Sequence, residues 1–195
     1  GERAEIVEVA GTGTYLENLT RFKQLFKEDK VTELFAELKK TMAFPKMGKT
    51  RVRNVTDLET EYRVRYNIKA EDPIPNYPYS RNNPVTDFEL EETGYFVRVY
   101  DDKPTSYWIF RIEDLRAYKN MDEVAENLAL PNKPTKIGLV EIPEGTVLRK
   151  SVAGPQPWGT KPQGGGIQYE IIETPKVEWF KPLFKNDIEV EQFFK

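Results

Sequence analysis

The chain contains neither cysteine nor histidine. Disulfide bridges, zinc ribbons and iron–sulfur clusters therefore cannot support the fold, so an apolar core must hold the chain together. Its 195 residues are enough for one domain of ordinary size with such a core. The same absences exclude a Ser-His-Asp triad, a cysteine nucleophile and an imidazole-bound metal. Any metal would need an all-oxygen site, and we predict none.

The charge balance argues against a polyanionic partner. The 29 Lys and Arg residues face 32 Asp and Glu residues, which gives a net charge of -3 and no general attraction to nucleic acid. No apolar stretch approaches the roughly 20 residues needed to span a bilayer, and the first residues lack the basic and apolar regions of a signal peptide. We therefore expect no nucleic-acid partner and no membrane insertion by this segment.

The first part of the chain is predicted to be mainly helical. Apolar residues follow a helical period over 15–41, which predicts two short helices or one kinked helix. Aromatic and charged residues alternate over 60–67, which predicts a half-buried strand. The proline-rich segment 71–84 predicts a long loop. We place a boundary there, between an N-terminal section, 1–84, and a core, 85–195.

Short strands dominate the second part of the chain. They are predicted at 95–100, 107–112, 137–142, 146–152 and 167–172. We expect the first two to form a hairpin or to lie side by side, the next two to pair across a tight turn, and the fifth to be the final strand. A short helix is predicted over 120–130. Because the predicted helices come mainly before the predicted strands, the chain is expected to have an α+β fold, with a helical section before a small β core.

Two of these strands carry an arginine beside aromatic residues. Because side chains alternate along a strand, Arg98 shares a face with Phe96 and Tyr100, and Arg111 shares a face with Tyr107. Guanidinium groups bind diphosphate through two parallel hydrogen bonds, and aromatic rings stack on bases. Two interpretations stay open: an anion clamp, or exposed arginines whose aliphatic stems cover apolar surface.

The strongest local feature is a run of three glycines, Gly164, Gly165 and Gly166, before the last predicted strand. Such a run lets backbone approach a ligand closely or presents amide donors to an anion. It lacks the Gly-Lys-Ser/Thr of a P-loop and the spacing of a dinucleotide-binding loop. Gln168 is displayed at the start of the strand, with Glu170 on the same face. The alternative is a flexible hairpin loop followed by a surface glutamine.

Several motifs occur in a fixed order along the second half. They are 94–100, 108–111, 128–131 with 134–135, 143–146, and 153–157 leading to 164–169. This ordered set resembles the tuberculosis necrotizing toxin family, whose relatives end many bacterial polymorphic and contact-dependent toxins. The similarity spans 94–172, and the N-terminal half carries no such resemblance.

The resemblance implies a small ADP-ribosyltransferase-like β core that hydrolyses NAD, and often NADP, as its substrate without a cofactor. It implies that Gln168 is the catalytic glutamine and that Arg98 and Arg111 grip the dinucleotide. Founding members use a histidine after the Leu-Pro motif, and this chain has Lys136 near that place. The resemblance also implies secretion, or delivery into a target cell within a larger protein, and a cognate immunity protein that plugs the cleft.

The implied reaction is compatible with a chain that has no histidine. Nicotinamide leaves as a neutral group, so the protein must mainly hold the dinucleotide bent and stabilise an oxocarbenium-like ribose. We therefore hypothesise that Arg98 and Arg111 bind the diphosphate and that Gln168 contacts the ribose hydroxyl or the attacking water. The aromatic candidates for ring contacts are Phe96, Tyr100, Trp108 and Trp158.

Three other functions stay open at this point. An ADP-ribosyltransferase toxin would pass ADP-ribose to a macromolecule, and such enzymes carry an acidic residue near the catalytic strand, where this chain has Glu170. A non-enzymatic binding module would use the aromatic strands as a recognition surface. A nuclease toxin without histidine is the third, and the near-neutral charge counts against it.

Overall fold

The computed structural model describes residues 8–9, 13–41, 44–158, 163–184, 190–191 and 193–194. The helices are α1 (Tyr15–Lys27), α2 (Val31–Thr41), α3 (Val55–Tyr66), α4 (Ile112–Arg116), α5 (Met121–Asn127) and a 3-10 turn (Val177–Trp179). The strands are β1 (Glu8–Val9), β2 (Gly13–Thr14), β3 (Met47–Arg53), β4 (Val85–Leu90), β5 (Gly94–Tyr100), β6 (Trp108–Ile109), β7 (Lys136–Ile142), β8 (Val147–Val152), β9 (Ile167–Ile171) and β10 (Phe180–Phe184). The predicted α+β class is confirmed. The described helices all fall short of the length and hydrophobicity that a membrane crossing needs.

The strands form two larger antiparallel sheets and one small pair. One sheet has the order β3-β4-β8-β9-β6, the other has the order β10-β7-β5, and β1 pairs with β2. The two larger sheets touch where Val97 of β5 and Phe110, just after β6, exchange two backbone hydrogen bonds of 2.8 Å. Strand β5 therefore lies beside the edge strand of the other sheet.

The three-stranded sheet is buried on both faces, because alternate side chains enter two different cores. Val97 and Leu139 lie in a core covered by helices α1, α2, α4 and α5. Phe96 and Val140 lie in the core between the two sheets, where they pack with Tyr169 of β9. Each fully buried side chain of this size stabilises the fold by roughly 1.5–3 kcal/mol. The sequence 94–100 is apolar at nearly every position because both faces are covered.

The prediction of a strand at 60–67 is wrong, since this segment belongs to helix α3. Asn54 caps the helix by accepting a hydrogen bond from a first-turn N–H at 2.8 Å, and Asn67 ends it in the left-handed region with φ of 53°. The rings of Tyr62 and Tyr66, four residues apart, pack at a tilt of 43° with their centroids 4.5 Å apart. The alternating pattern is compatible with the two-residue period of a strand, and the four-residue spacing of Tyr62 and Tyr66 is compatible with a helix. The two caps and the contact between these rings favour the helix.

The predicted pairing of β7 with β8 is also wrong. The turn between them, with Gly145 at φ of 88°, carries the chain from the smaller sheet to the larger one. Its backbone bonds to β4 instead, because Gly145 N donates to Leu90 O at 2.8 Å and Leu90 N donates to Thr146 O at 3.0 Å. Strands β5 and β6 belong to different sheets and form no hairpin, but the bridge between Val97 and Phe110 places them side by side, which is the second arrangement that we predicted. Strand β9 is not the final strand, because β10 follows it and pairs with β7.

Strand pairing crosses the boundary that we predicted at residue 84. Strand β3, from the N-terminal section, pairs with β4 and forms the outer strand of the larger sheet. Helix α3 packs on the same sheet through Leu58, which lies with Tyr77, Tyr79 and Val85 in a small apolar cluster. The division into two sections stays a prediction about sequence organisation. The described part of the first section supplies one strand to the larger sheet and core residues that pack against both sheets.

Candidate functional site

A cavity of about 320 Å³ opens where the two sheets meet. It is lined by Asn76, Pro78, Arg98, Ser106, Trp108, Phe110, Leu128, Ala129, Leu130, Pro131, Ala153, Gly154, Gln156, Trp158 and Gln168. We call it the Arg98 cavity. It brings together four residues that the sequence singled out, namely Arg98, Trp108, Trp158 and Gln168. Its volume lies near the lower end of the roughly 300–1,000 Å³ typical of small-molecule sites.

Arg98 enters the cavity from the middle of β5. Its neighbours Val97 and Val99 pack into the helix-covered core, which directs Arg98 to the opposite face. One Nη donates to Lys103 O at 3.4 Å, and the buried Nε has no hydrogen-bond partner among the described residues. Burial lowers the pKa of Arg98 to about 10, against a small opposing effect of Tyr100. A desolvated cation without a carboxylate partner favours binding of an anionic group.

Gln168 faces the same cavity from β9 and is 5% exposed. Its Nε2 donates to Pro78 O at 3.0 Å and to Ser151 Oγ at 3.1 Å. These two bonds use both amide protons and hold the carboxamide in one orientation. The carbonyl oxygen Oε1 is then the atom that can accept a hydrogen bond from a ligand hydroxyl or from water.

Trp108 and Trp158 give the cavity two aromatic walls. The indole Nε1 of Trp158 donates to Ala129 O at 2.9 Å, which fixes the ring against the 128–131 segment. Trp108 lies in β6 and pairs with Glu170 of β9. Planar rings of this kind stack on the flat rings of a ligand.

The glycine run packs against helix α5 and does not present its amides to the cavity. The N–H groups of Gly164, Gly165 and Gly166 donate to the backbone oxygens of Glu126, Ala153 and Asn127 at 3.0, 2.9 and 2.8 Å. A Cβ atom on Gly166 would lie 2.6 Å from the Tyr118 hydroxyl, which is closer than packing allows. Close packing therefore explains Gly164 and Gly166, and a positive φ of 98° explains Gly165. Their amides are not free to bind an anion.

Arg111 lies outside the Arg98 cavity. Strand β6 ends at Ile109, and Arg111 is the residue that precedes helix α4, so strand alternation does not apply to it. Its guanidinium pairs with Glu113 at 3.0 Å and lies 4.7 Å from the ring centroid of Phe44. The structure therefore does not bring Arg98 and Arg111 together as a diphosphate clamp.

Phe96 and Tyr100 also do not line the Arg98 cavity. Phe96 is 0% exposed and packs 5.7 Å from the Tyr169 ring in the core between the sheets. Tyr100 is buried under Lys136, whose Nζ lies 6.0 Å from the ring centroid. Lys136 Nζ donates to Asp101 O at 3.0 Å. Lys136, near the position of the family histidine, therefore does not line the cavity either.

Sequence reasoning missed Gln156 as a site residue. Its Nε2 donates to Tyr77 O at 3.0 Å, while its Oε1 is buried and has no partner within the described part of the chain. Its side chain lines the same cavity as Gln168 and comes from the segment just before the glycine run. The sequence signal that could have identified Gln156 was the 153–157 motif. This motif contributed to the resemblance, but the resemblance assigned no role to its glutamine.

Glu170 belongs to a buried polar network next to the Arg98 cavity. The Tyr79 hydroxyl donates a hydrogen bond to Glu170 and accepts one from Arg149 at 3.0 Å. Burial raises the pKa of Glu170, and the bond from Tyr79 and the charge of Arg149 only partly oppose this shift. The carboxylate lines two smaller cavities and not the one that contains Gln168.

The same network extends to strand β3 and helix α3. Arg149 Nε donates to Asp87 at 2.7 Å, and Arg53 donates to Asp87 at 2.9 Å and also to Glu61. Burial favours the neutral form of Asp87, but the bonds from Arg149 and Arg53 outweigh it and hold the pKa of Asp87 below its usual value. These charges are matched within the network, which is typical of a structural role.

A larger cavity, of about 410 Å³, contains none of the predicted site residues. It lies at the start of helix α5, beside Lys133 and Phe194. The Arg98 cavity is the better candidate because polar groups with unused bonding capacity, on Arg98 and Gln156, converge there.

No family model, curated protein or solved structure matches the chain. The described residues also contain no cluster of three or more acidic side chains that could hold a metal ion. An assignment of function therefore depends on the cavity and on the sequence motifs that line it.

Proposed function

We propose that this chain is a toxin domain that hydrolyses NAD, or NADP, to nicotinamide and ADP-ribose. The observation that carries the proposal is one cavity that contains the desolvated Arg98, the oriented carboxamide of Gln168, and two indole walls. Such a cavity suits a ligand with an anionic group, a hydroxyl and a flat ring. A pyridine dinucleotide has all three, and the motifs around the cavity are those that resemble the toxin family.

The reaction can proceed with these groups alone. The bond between the ribose carbon and the pyridine nitrogen breaks, its electron pair stays on the nitrogen, and nicotinamide leaves as a neutral molecule. Water attacks the oxocarbenium-like ribose carbon and then loses a proton to solvent. In this proposal Arg98 binds the diphosphate, and Gln168 Oε1 accepts a hydrogen bond from the attacking water or a ribose hydroxyl. Arg111, Phe96 and Tyr100 contribute no substrate contact, because they lie outside the cavity.

Chromatography of NAD and NADP after incubation with the pure protein tests the activity. Nicotinamide and ADP-ribose, or its phosphate, should appear in equal amounts. The Gln168→Ala variant should form product at least about 100-fold more slowly, which corresponds to the loss of one transition-state contact.

Gln24→Ala, a substitution at an exposed residue of helix α1 that does not line the cavity, is the matched control and should retain wild-type activity. Thermal unfolding of both variants checks that they fold. Wild-type activity in a folded Gln168→Ala variant would refute the proposed role of Gln168.

The same incubation separates hydrolysis from the other candidate functions. If labelled ADP-ribose becomes attached to protein instead of appearing free, the domain is an ADP-ribosyltransferase. If micromolar protein releases no nicotinamide from either dinucleotide, the result favours a non-enzymatic binding module.

A cell that makes an NAD-hydrolysing domain needs protection from it. We therefore expect an immunity protein that covers the Arg98 cavity, and delivery of the domain into a target cell as part of a larger protein. Expression of the wild-type domain alone should lower the NAD content of the host, whereas expression of Gln168→Ala should not.

A further inference from the structure

A second cavity, of about 160 Å³, adjoins the Arg98 cavity. Both are lined by Asn76, Pro78 and Trp108, so the Trp108 indole stands between them. Since the Arg98 cavity alone lies near the lower size limit of small-molecule sites, a ligand as long as a dinucleotide must extend beyond it. The second cavity is the adjoining space into which it can extend.

The second cavity holds an accessible cation between aromatic rings. Arg65, in the last turn of helix α3, places its guanidinium carbon 5.2 Å from the ring centroid of Tyr107 and 5.5 Å from that of Tyr66. Its contact with Glu170 is long, at 3.6 Å, and 48% of the Arg65 side chain is exposed. A partly exposed ion pair of this kind contributes little to stability, so the pair with Glu170 does not account for this arrangement.

Glu170 does not depend on Arg65 for a partner. The Tyr79 hydroxyl already donates to it, and Arg149 lies 4.0 Å away. Arg65 can therefore turn toward a phosphate without leaving a buried carboxylate unmatched.

We propose that the binding site continues across Trp108 and that the second cavity binds a nucleoside phosphate. Arg65 contacts the phosphate, and the exposed ring of Tyr66 or the ring of Tyr107 stacks on the base. This inference rests on the proposed function, in which the reacting nicotinamide half occupies the Arg98 cavity. It assigns the second half of the dinucleotide to a surface outside the motifs that resemble the toxin family.

A comparison of two substrates tests this assignment. Nicotinamide mononucleotide carries the reacting half of NAD but lacks the second nucleoside phosphate. Arg65→Gln should raise KM for NAD about tenfold, the loss of one charge-assisted hydrogen bond, with kcat within about twofold. The same variant should leave KM for the mononucleotide unchanged. Arg65→Lys keeps the charge and should bring KM for NAD to within about threefold of the wild-type value.

Arg51→Gln, an exposed arginine on β3 that lines neither cavity, is the matched control for the change in charge. If Arg65→Gln does not fold, Tyr66→Leu provides a second test, with an expected increase in KM of about fivefold for NAD only. An equal loss on both substrates, or no change on NAD, overturns the second subsite while leaving the hydrolysis intact. If the wild-type protein hydrolyses neither substrate, the proposed function is overturned, and the second subsite with it.

Discussion

Arg98 and Arg149 are both partly desolvated arginines on sheet strands, but their surroundings are opposite. Arg98 lies on β5, at the edge of the smaller sheet, and Arg149 lies on β8, in the middle of the larger one. Arg149 donates to Asp87 and to Tyr79 and lies 3.4 Å from Glu61. Arg98 has one long bond to a backbone oxygen and a buried Nε without a described partner. Burial lowers the pKa of Arg98, whereas hydrogen bonds to Asp87 outweigh burial and raise the pKa of Arg149.

This difference separates a structural arginine from a binding one. A buried cation whose partners are supplied by the fold has nothing left to offer a ligand. A half-buried cation beside an open cavity, such as Arg98, keeps its bonding capacity for an anion, at some cost to the stability of the empty protein. The comparison therefore predicts opposite effects on stability and on activity for the same substitution at the two sites.

The largest expected effect is on stability, in Arg149→Met. This substitution leaves Asp87 and Glu170 buried with fewer partners, so the free energy of unfolding should fall by about 3–5 kcal/mol. Denaturant titration followed by fluorescence measures the change. A loss below about 1 kcal/mol would show that the network behaves like a set of surface ion pairs.

Arg98→Met should have the opposite effect on stability and should mainly lower activity. The free energy of unfolding should stay the same or rise, because a desolvated charge without a carboxylate partner is removed. The value of kcat/KM for NAD should fall about 100-fold, because the diphosphate loses its charged partner. Steady-state hydrolysis and denaturant titration of the same sample check both parts.

The matched control for this variant is Arg111→Met. Arg111 is a second arginine that sequence analysis placed in the site, but it lies outside the cavity. Its kcat/KM should remain within about threefold of wild type, well under the tenfold that corresponds to 1.4 kcal/mol. A larger loss in Arg111→Met than in Arg98→Met would contradict the assignment of Arg98 to the binding site.

The smallest expected effect is the pH dependence that Glu170 adds to stability. Because burial raises its pKa in the folded protein above the usual 4.5, the folded state holds a proton that the unfolded state releases. Wild-type stability should therefore fall, relative to Glu170→Gln, as pH rises from about 4.5 through the folded-state pKa, and then level off.

Unfolding free energies of both proteins across this pH range provide the measurement. The opposite shift of Asp87 is present in both and cancels in the difference. If wild-type stability instead falls relative to Glu170→Gln as pH decreases, the pKa of Glu170 is lowered by its partners.

Strongly periodic segments were predictable from sequence, and segments that fit two periods were not. The apolar periods of α1 and α2 and the short apolar run of β5 identified those elements, because burial of one face or of both faces imposes the pattern directly. Segment 60–67 fits both a strand and a helix, so its state depends on the Asn54 cap and on packing over Leu58. The pairing of strands was harder to predict than the strands themselves. Strands β7 and β8, for example, are adjacent in sequence but lie in different sheets.

The residues of the candidate site were also predicted only in part. Arg98, Gln168, Trp108 and Trp158 share one cavity, as the hypothesis requires, while Arg111, Phe96 and Tyr100 lie elsewhere. Arg111 was misplaced because strand β6 stops two residues before it. Gln156 and Arg65 were missed because their surroundings come from segments distant in sequence, such as the loop around Tyr77 and the ring of Tyr107.

The sequence by itself determined that any chemistry here proceeds without thiol or imidazole, and that β5 carries an arginine on the face opposite Val97. Only the tertiary structure decided which arginine is matched by carboxylates and which is left beside a cavity. The partner of Arg149 is Asp87, 62 residues away, and such pairing depends on the order of strands in the sheets. Local periodicity specifies the face on which a side chain lies, whereas packing between distant segments specifies what it meets there.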